Sequence, residues 1–124
     1  MSCEQFYGEA PQTSDRLAEI DGLGGSDLRT TKSFPREETY GLTSQMRRAA
    51  VSAPSNIAEG AADRSKDQFR NFLRTAIGSL NELNTQLEIA FRIGYLSELS
   101  HTSAQQLLDE CLAVTFGLKR SLDN

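Results

Sequence analysis

The sequence has no tryptophan, one histidine, two cysteines and three prolines in 124 residues. With Cys3 and Cys111 far apart and no Cys-x-x-Cys, a disulfide framework is excluded, and a reducing cytoplasm is the expected setting. With His101 the only histidine, the candidate ligands of a Cys/His zinc site number at most three and are scattered; neither a metal nor another cofactor is expected. No apolar run approaches the roughly 20 residues that span a bilayer, so no transmembrane helix is expected. The first residues, Met1 to Gln5, lack the basic start and apolar stretch of a secretory signal. No stretch alternates with period two for long enough to read as a strand.

What is present is charge and helical periodicity. The net charge is −4, and it is spread unevenly. Residues 1–40 and 96–124 are acidic, whereas residues 41–95 hold seven basic and five acidic side chains. An acidic whole with a mildly basic middle argues against a general nucleic-acid binder, but it leaves room for a local basic face.

Residues 1–33 read as an irregular N-terminal segment. A short helical pattern around Ser14 to Asp21 stops at Gly22, Gly24 and Gly25, each costing up to about 1 kcal/mol in a helix interior. The second unit, residues 34–124, reads as a helical bundle domain. Phe34-Pro35 marks a boundary, since a residue before proline is pushed out of helical geometry. Arg36-Glu37-Glu38 is expected to open a helix, with carboxylates where the dipole favours them. Tyr40, Thr43, Met46, Ala50, Pro54, Ile57 and Ala61 carry its stripe. Pro54 is expected to kink or split it before an end near Gly60. Ala49, Ala50, Ala53 and Ala58 make it thin enough for a neighbour to approach closely.

Ser65-Lys66-Asp67-Gln68 fits a capping box. Phe69, Leu73, Ala76, Leu80, Leu83, Leu87, Ala90 and Gly94 then alternate steps of four and three, a seam of nearly four heptads. Phe72, Ile77, Ile89, Phe91 and Ile93 widen it, which predicts a helix buried on more than one side. About 29 residues would span ~44 Å, so the molecule is expected to be elongated. Gly94 ends the helix and Ser97 to Thr102 reads as a polar turn. Ala104, Leu107, Leu108, Cys111, Leu112, Thr115 and Leu118 make a last helix, with Lys119 and Arg120 complementing its C-terminal dipole. The pattern is all-α, and short turns favour an antiparallel up-and-down arrangement.

The run from Phe34-Pro35-Arg36-Glu37-Glu38 through Met46-Arg47-Arg48 to Pro54-Ser55-Asn56-Ile57-Ala58-Glu59-Gly60 resembles a known family. So do Phe69, Phe72-Leu73, Ala76 and Gly78-Ser79-Leu80-Asn81-Glu82-Leu83. They are similar to the four-helix-bundle proteins encoded in intervening sequences of bacterial 23S ribosomal RNA genes. The resemblance implies an up-and-down four-helix bundle and a ring-like homopentamer. It also implies kinship with the accessory variability protein of diversity-generating retroelements, which partners a reverse transcriptase and binds nucleic acid through basic surface. It brings no catalytic residues. The family's first helix carries tryptophan and precedes the Phe-Pro; here that helix is degraded or irregular. Two readings stay open: a diverged first helix, or a stretch outside the native reading frame.

Several residues allow a functional and a plainer reading. Lys66, Arg70 and Arg74 fall at i, i+4, i+8, with Arg64 just before and Arg47-Arg48 on the preceding helix. They could meet RNA or DNA phosphate, or form a solvated face with local pairs such as Asp67 with Arg70. Pro54, Asn56, Glu59 and Gly60 form the structural signature; Asn56 and Glu59 are expected to satisfy backbone groups freed by Pro54 or to fix register between protomers, and Gln45 and Arg48 read the same way. Ser52, Ser55 and His101 lack a nucleophile-elbow context, so no enzyme is expected. Cys111 reads as core. The function expected is a non-enzymatic, self-associating scaffold or accessory factor, the alternative being a nucleic-acid-binding accessory protein.

Overall fold

The structure, a computed structural model, describes residues 31–38, 41–62 and 65–123. The expected helical pattern around Ser14 to Asp21, and with it the first helix of a four-helix bundle, lies outside these residues. The described residues form two 3-10 turns, Thr31–Ser33 and Arg36–Glu38, and three α-helices: α1 (Leu42–Ala62), α2 (Lys66–Arg92) and α3 (Glu98–Leu122). They contain no strand. No described helix is long and apolar enough to cross a membrane.

Helix α1 starts six residues later than the carboxylates at 37 and 38 suggest. Arg36–Glu38 makes only a 3-10 turn, and the Glu38 carboxylate accepts from the Leu42 amide at 3.0 Å. Glu38 thus serves the first turn of α1 from outside it. Pro54 sits inside α1, and the helix continues through it to Ala62 rather than splitting. The Asn56 amide donates to the Ser52 carbonyl at 2.8 Å and to the Ser52 hydroxyl at 3.0 Å. That partner is not the Ala50 carbonyl, the one a proline at 54 leaves without its helical donor.

The α2 seam behaves as its spacing predicts. Phe69, Leu73, Ala76, Leu80, Leu83, Leu87 and Ala90 are all buried, while Gly94 is the exposed reversal point. Ser65 caps the helix by accepting from the Gln68 amide at 3.3 Å. At the other end Tyr95 N–H donates to the Ala90 carbonyl and Gly94 N–H to that of Phe91. With Gly94 at φ 86°, this is a Schellman closure, which needs a residue tolerant of the left-handed region. At 27 residues, α2 is about 40 Å long.

Helix α3 begins well before Ala104. The Ser97 hydroxyl accepts from the Ser100 amide at 3.1 Å, so the polar stretch after it is the first turn of a helix and not a loop. His101 is therefore helical.

Both neighbours pack on α2. Gly60 against Phe72 and Ser52 against Ser79 set α1 antiparallel to α2. Gln105 with Asn84 and His101 with Glu88 do the same for α3. The core between them holds Met46, Ile57, Phe69, Leu80, Leu108 and Leu118, each at most 2% exposed.

Candidate functional site

The basic residues do not form one stripe. Arg70 is fully engaged: it donates to Asp67 Oδ1 at 2.7 Å, to Asp123 Oδ1 at 2.8 Å and to the Leu122 carbonyl at 2.8 Å. Those bonds, to Asp123 first and then Asp67, raise its pKa further above the ordinary arginine value. Arg70 fastens the first turn of α2 to the last turn of α3. The plainer reading of this residue is the one the geometry supports. Lys66 and Arg74 remain exposed, Arg74 with only a long contact to Asn71. Arg64 lies outside the described residues. Arg47 is half-buried and its Nε donates to the Thr31 hydroxyl at 3.0 Å. Arg48 is exposed. Fourteen positions separate Arg48 from the end of α1, about 21 Å of helix, so Arg47 and Arg48 lie far from Lys66.

Of the signature residues, Gly60 sits at a close helix crossing. Gly60 is buried, and a Cβ built on it would lie 2.6 Å from the Phe72 Cβ and 3.0 Å from the Phe69 ring. Only a glycine lets α1 and α2 approach this closely. Asn56 supports Ser52, whose hydroxyl bonds that of Ser79 at 2.9 Å, and Ser79 in turn donates to the Thr75 carbonyl. Pro54 is half-buried; Glu59 and Gln45 are exposed.

His101 stacks on Phe91 with ring centroids 4.2 Å apart, and its Nε2 is 3.4 Å from Glu88 Oε2. Glu88 accepts from Arg92 Nε at 2.8 Å, and that bond holds the carboxyl below its ordinary pKa. Ser52 and Ser55 lie on α1 and His101 on α3, on different sides of α2, so the structure does not bring them together. Cys111 is buried. Among the described residues no cluster of His, Cys, Asp and Glu could hold a metal ion.

One joint escapes sequence reading. Glu38 Oε1 accepts from the Tyr95 hydroxyl at 3.1 Å, and the Phe34 and Tyr95 rings pack with centroids 5.4 Å apart. This ties the Phe-Pro-Arg-Glu-Glu run to the α2–α3 reversal. Burial first, then the Glu38 bond, push the Tyr95 hydroxyl above the ordinary tyrosine pKa. The available signal was a tyrosine directly after the glycine of a helix stop, but its partner lies 57 residues earlier.

The residues expected to widen the seam divide. Phe72, Ile77 and Phe91 are half-buried, while Ile89 and Ile93 stay exposed at 45% and 52%. Val51, Leu99 and Phe116 are exposed too. A shallow depression beside Ile89 is lined by Asn84, Thr85, Glu88, Arg92 and Gln105.

No curated protein matches the chain. A family model for the 23S rRNA-intervening sequence protein matches residues 27–117, which takes in the Phe34–Tyr95 joint, the Gly60 crossing and most of all three helices. On that match the chain belongs to the family of 23S rRNA-intervening sequence proteins.

Proposed function

We propose that this chain is a non-enzymatic helical scaffold that assembles with copies of itself in the cytoplasm and serves as an accessory to a larger partner. The observation that carries this reading is the apolar surface left uncovered. Val51 on α1, Ile89 and Ile93 at the end of α2, and Leu99 and Phe116 on α3 are between 45% and 79% exposed. An assembly would cover such side chains, and that is the support they give this reading. A homopentamer, the state implied by the resemblance, is one closed form of such an assembly.

The test is mass in solution. Light scattering on the purified protein is expected to give a multiple of 13.7 kDa over a wide concentration range. A chain that stays at the monomer mass throughout overturns the reading.

A second reading is a nucleic-acid-binding accessory protein, with a reverse transcriptase among the partners it would suit. Exposed Lys66 and Arg74, one helical face apart by two turns, favour it. Phosphate contacts by so few cations predict a shallow salt dependence, which is the measurable distinction from a strong binder.

A further inference from the structure

We propose that the outer faces of α1 and α3 are the two halves of one interface, α1 of one copy lying alongside and parallel to α3 of the next. The inference rests on the self-assembly reading and specifies which surfaces meet.

The outer face of α1 carries Arg48, Val51, Ser55, Ala58, Glu59 and Ala62, all exposed. It is nearly flat, because four of the six side chains are valine, serine or alanine. The outer face of α3 carries Asp109, Glu110, Ala113, Phe116 and Arg120, also exposed. Phe116 stands up from it as a large apolar side chain, 46% exposed. One face is a shallow seat and the other bears a knob.

The shared neighbour α2 gives the register. Carrying the Ser52–Ser79 and Gln105–Asn84 pairings along the helices, Ala58 is level with Leu73 and so with Phe116. Ser55 is level with Ala113 in the same way. Two copies set side by side without sliding therefore place the Phe116 knob against Ala58, the smallest part of the seat.

Charge fixes the direction. Along α1 a cation, Arg48, precedes an anion, Glu59. Along α3 the anions Asp109 and Glu110 precede a cation, Arg120. Parallel docking sets Arg48 towards Glu110 and Glu59 towards Arg120. Antiparallel docking would set like charges together. Arg48 is level with Gln106, one turn or about 6 Å from Glu110, and Glu59 is level with Gly117, about 4.5 Å of helix from Arg120. Both offsets run the same way and fall within the reach of an arginine. Among the described residues Arg48, Glu59, Glu110 and Arg120 take part in no ion pair. Their charges are unspent among the described residues. Exposed pairs add little affinity, so the apolar knob and seat supply the binding while the charges select partner and register. Because two different faces meet, the contact is heterologous and propagates to a ring or a filament.

Charge exchange tests this. Arg48→Glu and Glu110→Arg are each expected to raise the dissociation constant of the assembly at least about tenfold, equivalent to about 1.4 kcal/mol, read by light scattering across a dilution series. The double variant is expected to recover the wild-type mass. Circular dichroism should stay unchanged, since both positions are exposed. A monomeric wild-type chain overturns the self-assembly reading and this inference together. An oligomeric wild type whose mass neither single variant lowers, or whose mass the double variant does not recover, overturns the pairing of faces and leaves the self-assembly reading standing.

Discussion

Gly60 and Gly78 are both glycines inside helices, yet they meet opposite surroundings. A Cβ on Gly60 collides with the Cβ of Phe72, which has no flexible end to move aside, whereas a Cβ on Gly78 meets nothing within 4 Å. In an open helix interior, alanine is better than glycine by roughly 0.5–1 kcal/mol. Gly78→Ala is therefore expected to stabilise the protein by about that amount. Gly60→Ala is expected to cost about 1–3 kcal/mol, since overpacking must push α1 and α2 apart. Urea unfolding of the two variants decides: equal midpoints would mean the close approach at Gly60 is not what the site requires. The sequence showed that Gly60 closes the Asn-Ile-Ala-Glu-Gly run. It did not show why glycine was needed, because Phe72 lies on another helix.

At the scale of elements, the Glu38–Tyr95 joint holds the start of α1 to the reversal between α2 and α3. The fold raises the Tyr95 pKa, so it favours the neutral phenol. The resulting stability is whole below the ordinary tyrosine value of about 10 and is lost as pH rises through the higher folded value. Thermal unfolding of the wild type is expected to fall with alkali through that window. Tyr95→Phe should begin less stable at neutral pH and show a flatter decline. Parallel curves for the two proteins would place the alkaline transition elsewhere. The helices themselves were unequally legible. All seven buried positions of the α2 seam could be read from their spacing, and so could the stop at Gly94. The starts of α1 and α3 could not, because each depends on a capping side chain. Glu38 reaches into α1 from a 3-10 turn. Ser97 opens α3 through a polar stretch that resembles a turn unless its amide bond to Ser100 is known.

At the scale of the whole molecule, the basic residues act as two separated groups and a fastener. Arg70 spends its charge on Asp67 and Asp123, leaving Lys66 and Arg74 as the exposed cations in the described first half of α2. If these two meet duplex DNA or structured RNA, the logarithm of the binding constant should fall against that of salt with a slope of about −2 per chain. Replacing both by glutamate should flatten it, measured by fluorescence anisotropy. A slope unchanged by those replacements removes the α2 cations from any nucleic-acid contact. Arg70→Glu is a poor probe of binding, since it places like charge beside two aspartates and loosens α2 from α3.

The all-α class, the long central seam, the glycine reversal and the family are legible in the residues alone, because helical periodicity and stop residues are local properties. The fate of the polar and small residues rests on contacts between helices. Arg70 meets Asp123 across 53 positions, Glu38 meets Tyr95 across 57, and Ser52 meets Ser79 across 27. Such pairs depend on the register at which antiparallel helices slide together. That register is set by the summed packing of whole faces, with Gly60 against Phe72 as its tightest point, and no short stretch of sequence contains it.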